Sequence, residues 1–557
     1  MAVDGEGEWV WEEDQIYDGI RQDATESIRR YRIVRNFNFR NIGALTKDLG
    51  IRKIHQTAVS AAYPARAALD CHFNNGTQKL VFIQGISGGS NIFVYNTTTN
   101  ELGAAAAPTI ANVDHPDMLM FADKLYIVDG TTLRAMDNSE TITTPGESDY
   151  SNPCRFGVVY GNRLILAGNS TYPFSFFSSG IRNAAEWDVD LSVDVTGLHG
   201  ETIECLGVCG PYMIVGGPKF TRAYYLGTAS PGDWDWDELS HDVGPINHAS
   251  YKAVSRNGEV YGFFWSEEGP MVLHQSGQGL PRLFPLWKPI DKMVRGVAHQ
   301  GMPALTVARY NKITTEYVHE YNEVRFACVE TTSGNPQYSS GDEPNSLMCV
   351  DLDSVTDYVR DPSGAWPKWR MRDNISSDLQ CERIFVCRID PSTGFPSLTG
   401  QNRLMCAAAG QIYEMDARDT YTDAPNSASI LAHLRKDGYD GLSDGVREHT
   451  KSVRRWHVRT NQSGDYSLYA RLYTDGGQQS SETSVPLGEG LKLWGSDLEG
   501  GSWGDGSIWN EGEFVVKRGG FSGVGKKFDL EIYDSGNVVE ELQINSWSLS
   551  GMLEDRR

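Results

Sequence analysis

The stretch MLMFADKLYIVDGTTLRAMD, Met118 to Asp137, alternates apolar and polar residues, turns sharply at Asp123-Lys124 and alternates again. Period-two alternation sets one face of a strand inward, and two such runs across a tight turn make a β-hairpin. The unit recurs as LVFIQGISGGSNIFVYN from Leu80, GVVYGNRLILAGN from Gly157, GVCGPYMIVGG from Gly207 and GEVYGFFWSEEGPMVLHQSG from Gly258. It returns as VRFACVE from Val324 with SLMCVDLD from Ser346, and as RLMCAAAGQIYEMDA from Arg403. The spacing starts at about 40 residues and widens with inserted loops, as when a four-stranded blade repeats around a propeller. The fold class expected is all-β: an irregular β-propeller of about six blades, six or seven by the repeats themselves.

Composition agrees with short strands and many turns: the 557 residues include 58 Gly, 23 Pro, 14 Trp and 25 Tyr. The blades occupy residues 59–428 and leave two flanks. The C-terminal flank, 429–557, carries SVRRWHVRTN, YSLYARLYTD, KKFDLEIYD and LQINSWSLSG, alternating runs that read as a β-sandwich-like platform. The N-terminal flank, 1–58, has alternating stretches such as YRIVRNFNF but too few apolar residues to fold alone. Its expected partner is the C-terminal sheet, so that both flanks build the platform.

Charge narrows the function. A formal charge of −23 argues against gripping nucleic acid by neutralising phosphates, which needs surplus Lys and Arg. Glu6, Glu8, Glu12, Glu13 and Asp14 stand where a signal peptide would be basic, so no export signal is expected. The best apolar run, Leu206 to Gly217, falls well short of the roughly 20 residues that a membrane span needs. Nine irregularly spaced cysteines without paired CxxC knuckles read as buried reduced thiols.

Three stretches resemble one family. IYDGI (Ile16 to Ile20) and SIRRYRIVRNFNFRNIGALTKDLGIRKI (Ser27 to Ile54) are similar to the start of tail nozzle proteins, also called tail tubular protein B or packaged-DNA-stabilising proteins, of short-tailed bacteriophages. The family's Gly-x-Leu-x-(Arg/Lys)-x-x-Gly turn is matched by Gly43, Leu45, Lys47 and Gly50. FGVVYGNRLILAGNSTYPFSFFSSGIRNAAEWDVD (Phe156 to Asp190) resembles its blade signature, and LWGSDLEGGSWGDGSIW followed by GGFSGVGKKFDLEIYDSG resembles its end. The departures are the acidic leader before Trp9 and an insertion between Tyr310 and Trp369. The resemblance implies a structural virion protein without enzyme activity. It would have a six-bladed propeller and a platform, and form a homo-hexameric ring below portal and adaptor. Tail fibre or needle proteins would be its neighbours, and it would be assembled in the host cytoplasm. It would retain the packaged genome and let the DNA pass without tight or specific binding during ejection.

No catalytic, cofactor-binding or metal residue is expected. There is no Gly-x-Ser-x-Gly elbow, His-Glu-x-x-His, P-loop or dinucleotide fingerprint, and the twelve histidines are dispersed. In DVDLSVDV, Asp188, Asp190 and Asp194 would share one strand face, and three carboxylates there read as a calcium site, a solvated face or an acidic channel lining. They are the candidate channel-facing residues. DGYDGLSDG (Asp437 to Gly445) imitates a calcium loop but has Tyr439, Gly441 and Leu442 at the wrong places. Two basic segments, Arg29 to Arg40 and His449 to Arg459, would come together if the flanks pair, either as a docking face for an acidic neighbour or in internal ion pairs. Two other functions stay open. One is a receptor- or glycan-binding propeller using Trp234, Trp236, Trp366 and Trp369. The other is a sialidase-like glycosidase, whose signature Ser496 to Trp503 approaches at the wrong spacing.

Overall fold

A computed structural model describes residues 8–13, 31–38, 45–55, 57–59, 63–96, 99, 101–104, 110, 115–145, 153–195, 200–225, 230–277, 279–298, 302–330, 343–372, 381–390, 396–397, 400–408, 410–417, 422–423, 428–429, 431–439, 450–461, 467–475, 478–487, 514–534 and 542–553. Outside them lie the calcium-like loop beyond Tyr439, Ser496 to Trp503 and the Trp-Gly cluster, IYDGI, and Gly43.

Hairpin chemistry sets the local structure. Gly161-Asn162 and Asn257-Gly258 take positive φ at both turn positions, the twist that joins antiparallel strands in two residues. Ala122-Asp123 does the same, with Ala122 at φ 46°, although alanine is rarely found there. The hairpins pair into four-stranded antiparallel sheets. Blades one to five run from the Ala65–His72, Asp117–Phe121, Phe156–Tyr160, Cys205–Cys209 and Lys252–Arg256 strands outward, each taking four consecutive strands.

Blade six comprises Thr314–Val318, Glu323–Cys328, Ser346–Asp351 and Trp369–Arg372. The span between Tyr310 and Trp369, read as an insertion relative to the resembled family, thus holds the blade strands that the repeat at Val324 and Ser346 marked. It also carries the amphipathic Leu352–Arg360 helix, N-capped by Asp351, whose carboxylate accepts the Ser354 amide at 2.7 Å. Blade seven comprises Arg383–Ile389, Gln401–Ala408 and Gln411–Glu414, and its fourth strand is Arg52–Lys53 from the start of the chain. The seven innermost strands lie side by side and the last returns to the first, which closes the ring. The all-β propeller expected from the sequence is what the strand pairing builds. Its count is seven, one more than the resemblance implied, and the ring borrows its closing strand from the 1–58 segment assigned above to the platform.

Apolar clusters fill the spaces between neighbouring blades. Cys71, Val81, Ile92, Leu125 and Ile127 join blades one and two, while Phe156, Phe176, Leu206, Val215, Tyr224 and Trp234 join three and four. All nine cysteines are buried free thiols. Among the described residues no helix is long and apolar enough to cross a membrane.

The platform is two facing sheets. One orders Phe37–Asn38, Leu45–Lys47, Gln543–Leu553, Lys451–Asn461 and Phe514–Gly525, with Glu8–Glu13 pairing the Gln543–Leu553 strand. The other continues blade six. Tyr31–Arg35 pairs Trp369–Arg372 in parallel and His433–Tyr439 antiparallel, and Phe528–Asp534, Ser467–Thr474 and Gln478–Pro486 follow. Between the sheets pack Trp11, Trp456, Trp547, Leu549, Leu434, Leu472 and Ile532, and Trp11 meets Trp547 edge to face at 4.7 Å. The N-terminal flank thus gives strands to both platform sheets and to blade seven. It cannot bury its own apolar face, so it is ordered by joining others.

Candidate functional site: the junction of ring and platform

Ring and platform meet where the chain passes from Phe37 to Arg52, and the residues there are charged yet buried. Arg370, on the outer strand of blade six, is 1 % exposed. Its Nη1 donates to both Asp48 carboxylate oxygens at 3.0 and 2.8 Å and to the Phe37 carbonyl at 3.2 Å. Its Nε and Nη2 donate to Glu323 at 2.6 and 2.7 Å. Glu323 also accepts from Arg325 Nε at 3.2 Å, and Arg325 Nη1 lies 2.5 Å from Asp416. Arg372 donates to the Leu49 carbonyl at 2.6 Å. Three guanidiniums face three carboxylates drawn from blade six, blade seven and the N-terminal flank, and the charge balances.

Burial disfavours ionised Asp416, but Arg325, Arg372 and Arg370 outweigh it and hold its carboxyl below the usual range. Burial likewise opposes the charge on Arg370, and Asp48 and Glu323 more than restore it. A second buried pair crosses the sandwich: Lys47 Nζ lies 2.6 Å from Asp534 Oδ2, both side chains fully buried, and Asp534 Oδ1 accepts the Ala432 amide at 3.2 Å. Breaking one partner of such a pair is costly because the other charge stays buried. Each buried charge in the group thus lies against an opposite one. Through Asp48 and Arg370 the group joins the N-terminal flank to blade six at the junction of ring and platform.

Lys47 therefore ties the two platform sheets together, and Leu45, two residues before it, is fully buried. Sequence reading did not find Asp48, Glu323, Arg325, Arg370 or Asp416. The available signal was charged residues inside runs whose neighbours are apolar on both faces, as in the wholly buried Glu323–Cys328 strand.

The candidate acidic strand is placed differently from the simple alternation. Asn183–Asp194 is the outermost strand of blade three, on the propeller rim. Its pairing jumps from Phe177↔Ser192 to Ser179↔Trp187, so the strand bulges across residues 188–191. The single face shared by Asp188, Asp190 and Asp194 requires an unbroken strand and is lost at that bulge. Asp194 is exposed and accepts the Ser175 hydroxyl, while the side chains of Asp188 and Asp190 lie outside the described residues.

The four tryptophans of the glycan reading separate. Trp369 is fully buried beside Phe326, and Trp234 is buried against Tyr160 and Phe176 between blades. Trp366 stacks on Tyr358. Trp236 alone of the four is exposed, with Arg222 over its ring at 4.2 Å. The basic segments also part company. Arg35 is buried in the sheet that continues blade six, whereas Arg454, Arg455 and Arg459 stand exposed on the other platform sheet.

One constellation imitates catalysis. His248 Nε2 lies 3.1 Å from Asp117 Oδ2, which also accepts the Gly157 amide at 2.9 Å, and the ring stacks on Phe156 near buried Cys205. Burial opposes the imidazolium, but Asp117 overcomes it and raises His248 to about 10. Burial pushes the Cys205 thiol up, so it stays protonated and does not act as a nucleophile at neutral pH. The group ties together the inner ends of blades two to five. Among the described residues no three His, Cys, Asp or Glu side chains converge on a metal position.

No family model matches the chain. No curated protein matches it either. Among solved structures it is similar to the N-terminal domain of Nup159, at 9 % identity and TM-score 0.33, over 72 % of this chain and 100 % of that one. A streptogramin B lyase aligns at 8 % identity and TM-score 0.38, over 66 % and 97 %. A putative 6-phosphogluconolactonase from Bacteroides fragilis aligns at 10 % identity and TM-score 0.37, over 68 % and 92 %. These likenesses are too distant to bear on function, and the propeller assignment rests on the strand pairing.

Proposed function

We propose that the chain is a structural protein of a short-tailed bacteriophage tail, a nozzle-type propeller that works as part of a homo-hexameric conduit below adaptor and portal. The observation that carries the reading is the clasp. The Leu45, Lys47 and Gly50 turn resembles the nozzle family's opening; its Lys47 pairs the two platform sheets through Asp534, and the neighbouring Asp48 ties platform to ring through Arg370. A part that retains packaged DNA must resist force without changing shape, and a closed ring welded to a sandwich by buried ion pairs suits that task. In this reading the DNA passes without adhesion and the chain performs no catalysis.

The test is co-sedimentation of the purified chain with a portal–adaptor complex from a short-tailed phage. The expected result is saturable binding at six chains per complex. Absence of binding, together with a positive signal on a glycan array or hydrolysis of a chromogenic glycoside, would move the protein to the receptor-binding or glycosidase reading.

A further inference from the structure

On the outward face of the first platform sheet the Lys451–Asn461 and Phe514–Gly525 strands are basic, in a chain of net charge −23, while the register places Glu8 and Glu12 on that face at the far strand. The register aligns Arg455 with Gly520, His457 with Arg518, and Arg459 with Val516 on neighbouring strands. Arg454, the extra residue at a bulge, projects beside them, and Arg454, Arg455, Arg459 and Arg518 are all exposed. Among the described residues no carboxylate pairs with Arg454, Arg455 or Arg518. His457 reports the same imbalance, because burial and then the positive charges of Arg518 and Arg455 lower its affinity for a proton. Val516 and Val524 on this face are 60 % and 58 % exposed. Exposed guanidiniums without a carboxylate partner among the described residues, beside bare valines, suit a cover that is acidic and partly apolar.

A surface of that description lies on the same molecule. Asp235–Ser240 is the outer strand of blade four, a sheet edge with no further strand beside it among the described residues. Asp233, Asp235 and Asp237 are exposed there and make no ion pair among the described residues, whereas the next residue, Glu238, is occupied by His241 at 2.9 Å and Arg222 at 3.7 Å. Trp236 and Tyr225, 43 % and 48 % exposed, supply the apolar component.

We propose that the basic platform face of one copy docks on the acidic outer edge of blade four of a second copy, a head-to-tail contact. Such a heterologous contact closes into a ring or extends, according to its rotation. The proposal goes beyond the tail reading and stands or falls on the purified chain: a chain absent from any virion could still self-associate in this way, and a monomeric chain could still join a tail through other surfaces.

The test is sedimentation velocity of the full chain at about 20 and about 300 mM salt, since attraction between exposed charges weakens as the screening length shortens. Self-association at low salt that dissociates at high salt is expected. The double variant R455E/R518E and the double variant D235K/D237K should each weaken association about tenfold or more, and the chain carrying all four changes should regain it. Unchanged circular dichroism and melting of these surface variants guard against misfolding. A monomer at low salt, an acidic-edge variant that associates like wild type, or failure of the fourfold variant to recover would overturn the proposal. Duplex DNA retained by wild type and lost in R455E/R518E, without self-association, would overturn it in favour of a nucleic-acid surface.

Discussion

Replacing Arg370 by methionine removes the five hydrogen bonds its guanidinium makes to Asp48, Glu323 and the Phe37 carbonyl. Methionine fills much of the volume, so the loss is electrostatic: Asp48 and Glu323 stay buried with less positive charge to face. Breaking one side of a buried pair costs about 3–5 kcal/mol. The lower end applies here, because Arg325 still reaches Glu323 and Arg372 lies 4.0 Å from Asp48. Urea unfolding followed by tryptophan fluorescence is a suitable assay, because buried Trp369 is the neighbour of Arg370 in the chain. Adding Asp48→Asn removes one orphaned carboxylate, so D48N/R370M should be less destabilised than the sum of the single variants by about 1–3 kcal/mol. A loss below about 1 kcal/mol in R370M, or strict additivity in the double variant, would refute the view that these charges act as one clasp.

Other consequences follow from the same geometry. Glu531 is held at about 2, since His433 at 2.6 Å, Tyr473 and Arg471 overcome the burial that would raise it. Its stabilisation is complete above the unfolded value near 4.5 and lost as pH falls toward 2, so His433→Ala should move the acid-unfolding midpoint to higher pH; an unmoved midpoint contradicts this. Deleting residues 1–57 removes strands from both platform sheets and the closing strand of blade seven, and should expose residues 430–557 to protease; unchanged resistance would sink the stitching role. If the rim of blade three faces a DNA channel, changing Asp188, Asp190 and Asp194 to lysine should slow ejection while particles still assemble. Normal ejection kinetics would remove them as a channel lining.

The blades were legible because period-two alternation and Gly-Asn or Asn-Gly turns are local signals, and each hairpin carries both within about 15 residues. Blade seven was read from its Arg403 hairpin, but its fourth strand, Arg52–Lys53, was not, because it comes from the opposite end of the chain to Gln411–Glu414 and two residues carry no periodicity. The parallel pairing of Tyr31–Arg35 with Trp369–Arg372 is hidden for the same reason. Charged residues in an alternating strand are ordinarily assigned to solvent. At Arg325 and Arg370 that rule fails, because blade six is covered on both faces and the compensating carboxylates Asp48 and Asp416 lie far away in sequence. In Asp188 to Asp194 the alternation is present in the residues but broken by the bulge, which depends on how the strand meets its partner across residues 177 to 179.

The central claim is that this propeller is a tail conduit, and imaging tests it most directly: cryo-electron microscopy of the chain bound to a portal–adaptor complex. The account predicts six copies arranged around the tail axis beneath the adaptor, each with its propeller and platform joined through the Asp48–Arg370 clasp. A chain that stays apart from the complex, or binds it without surrounding the axis, would contradict it.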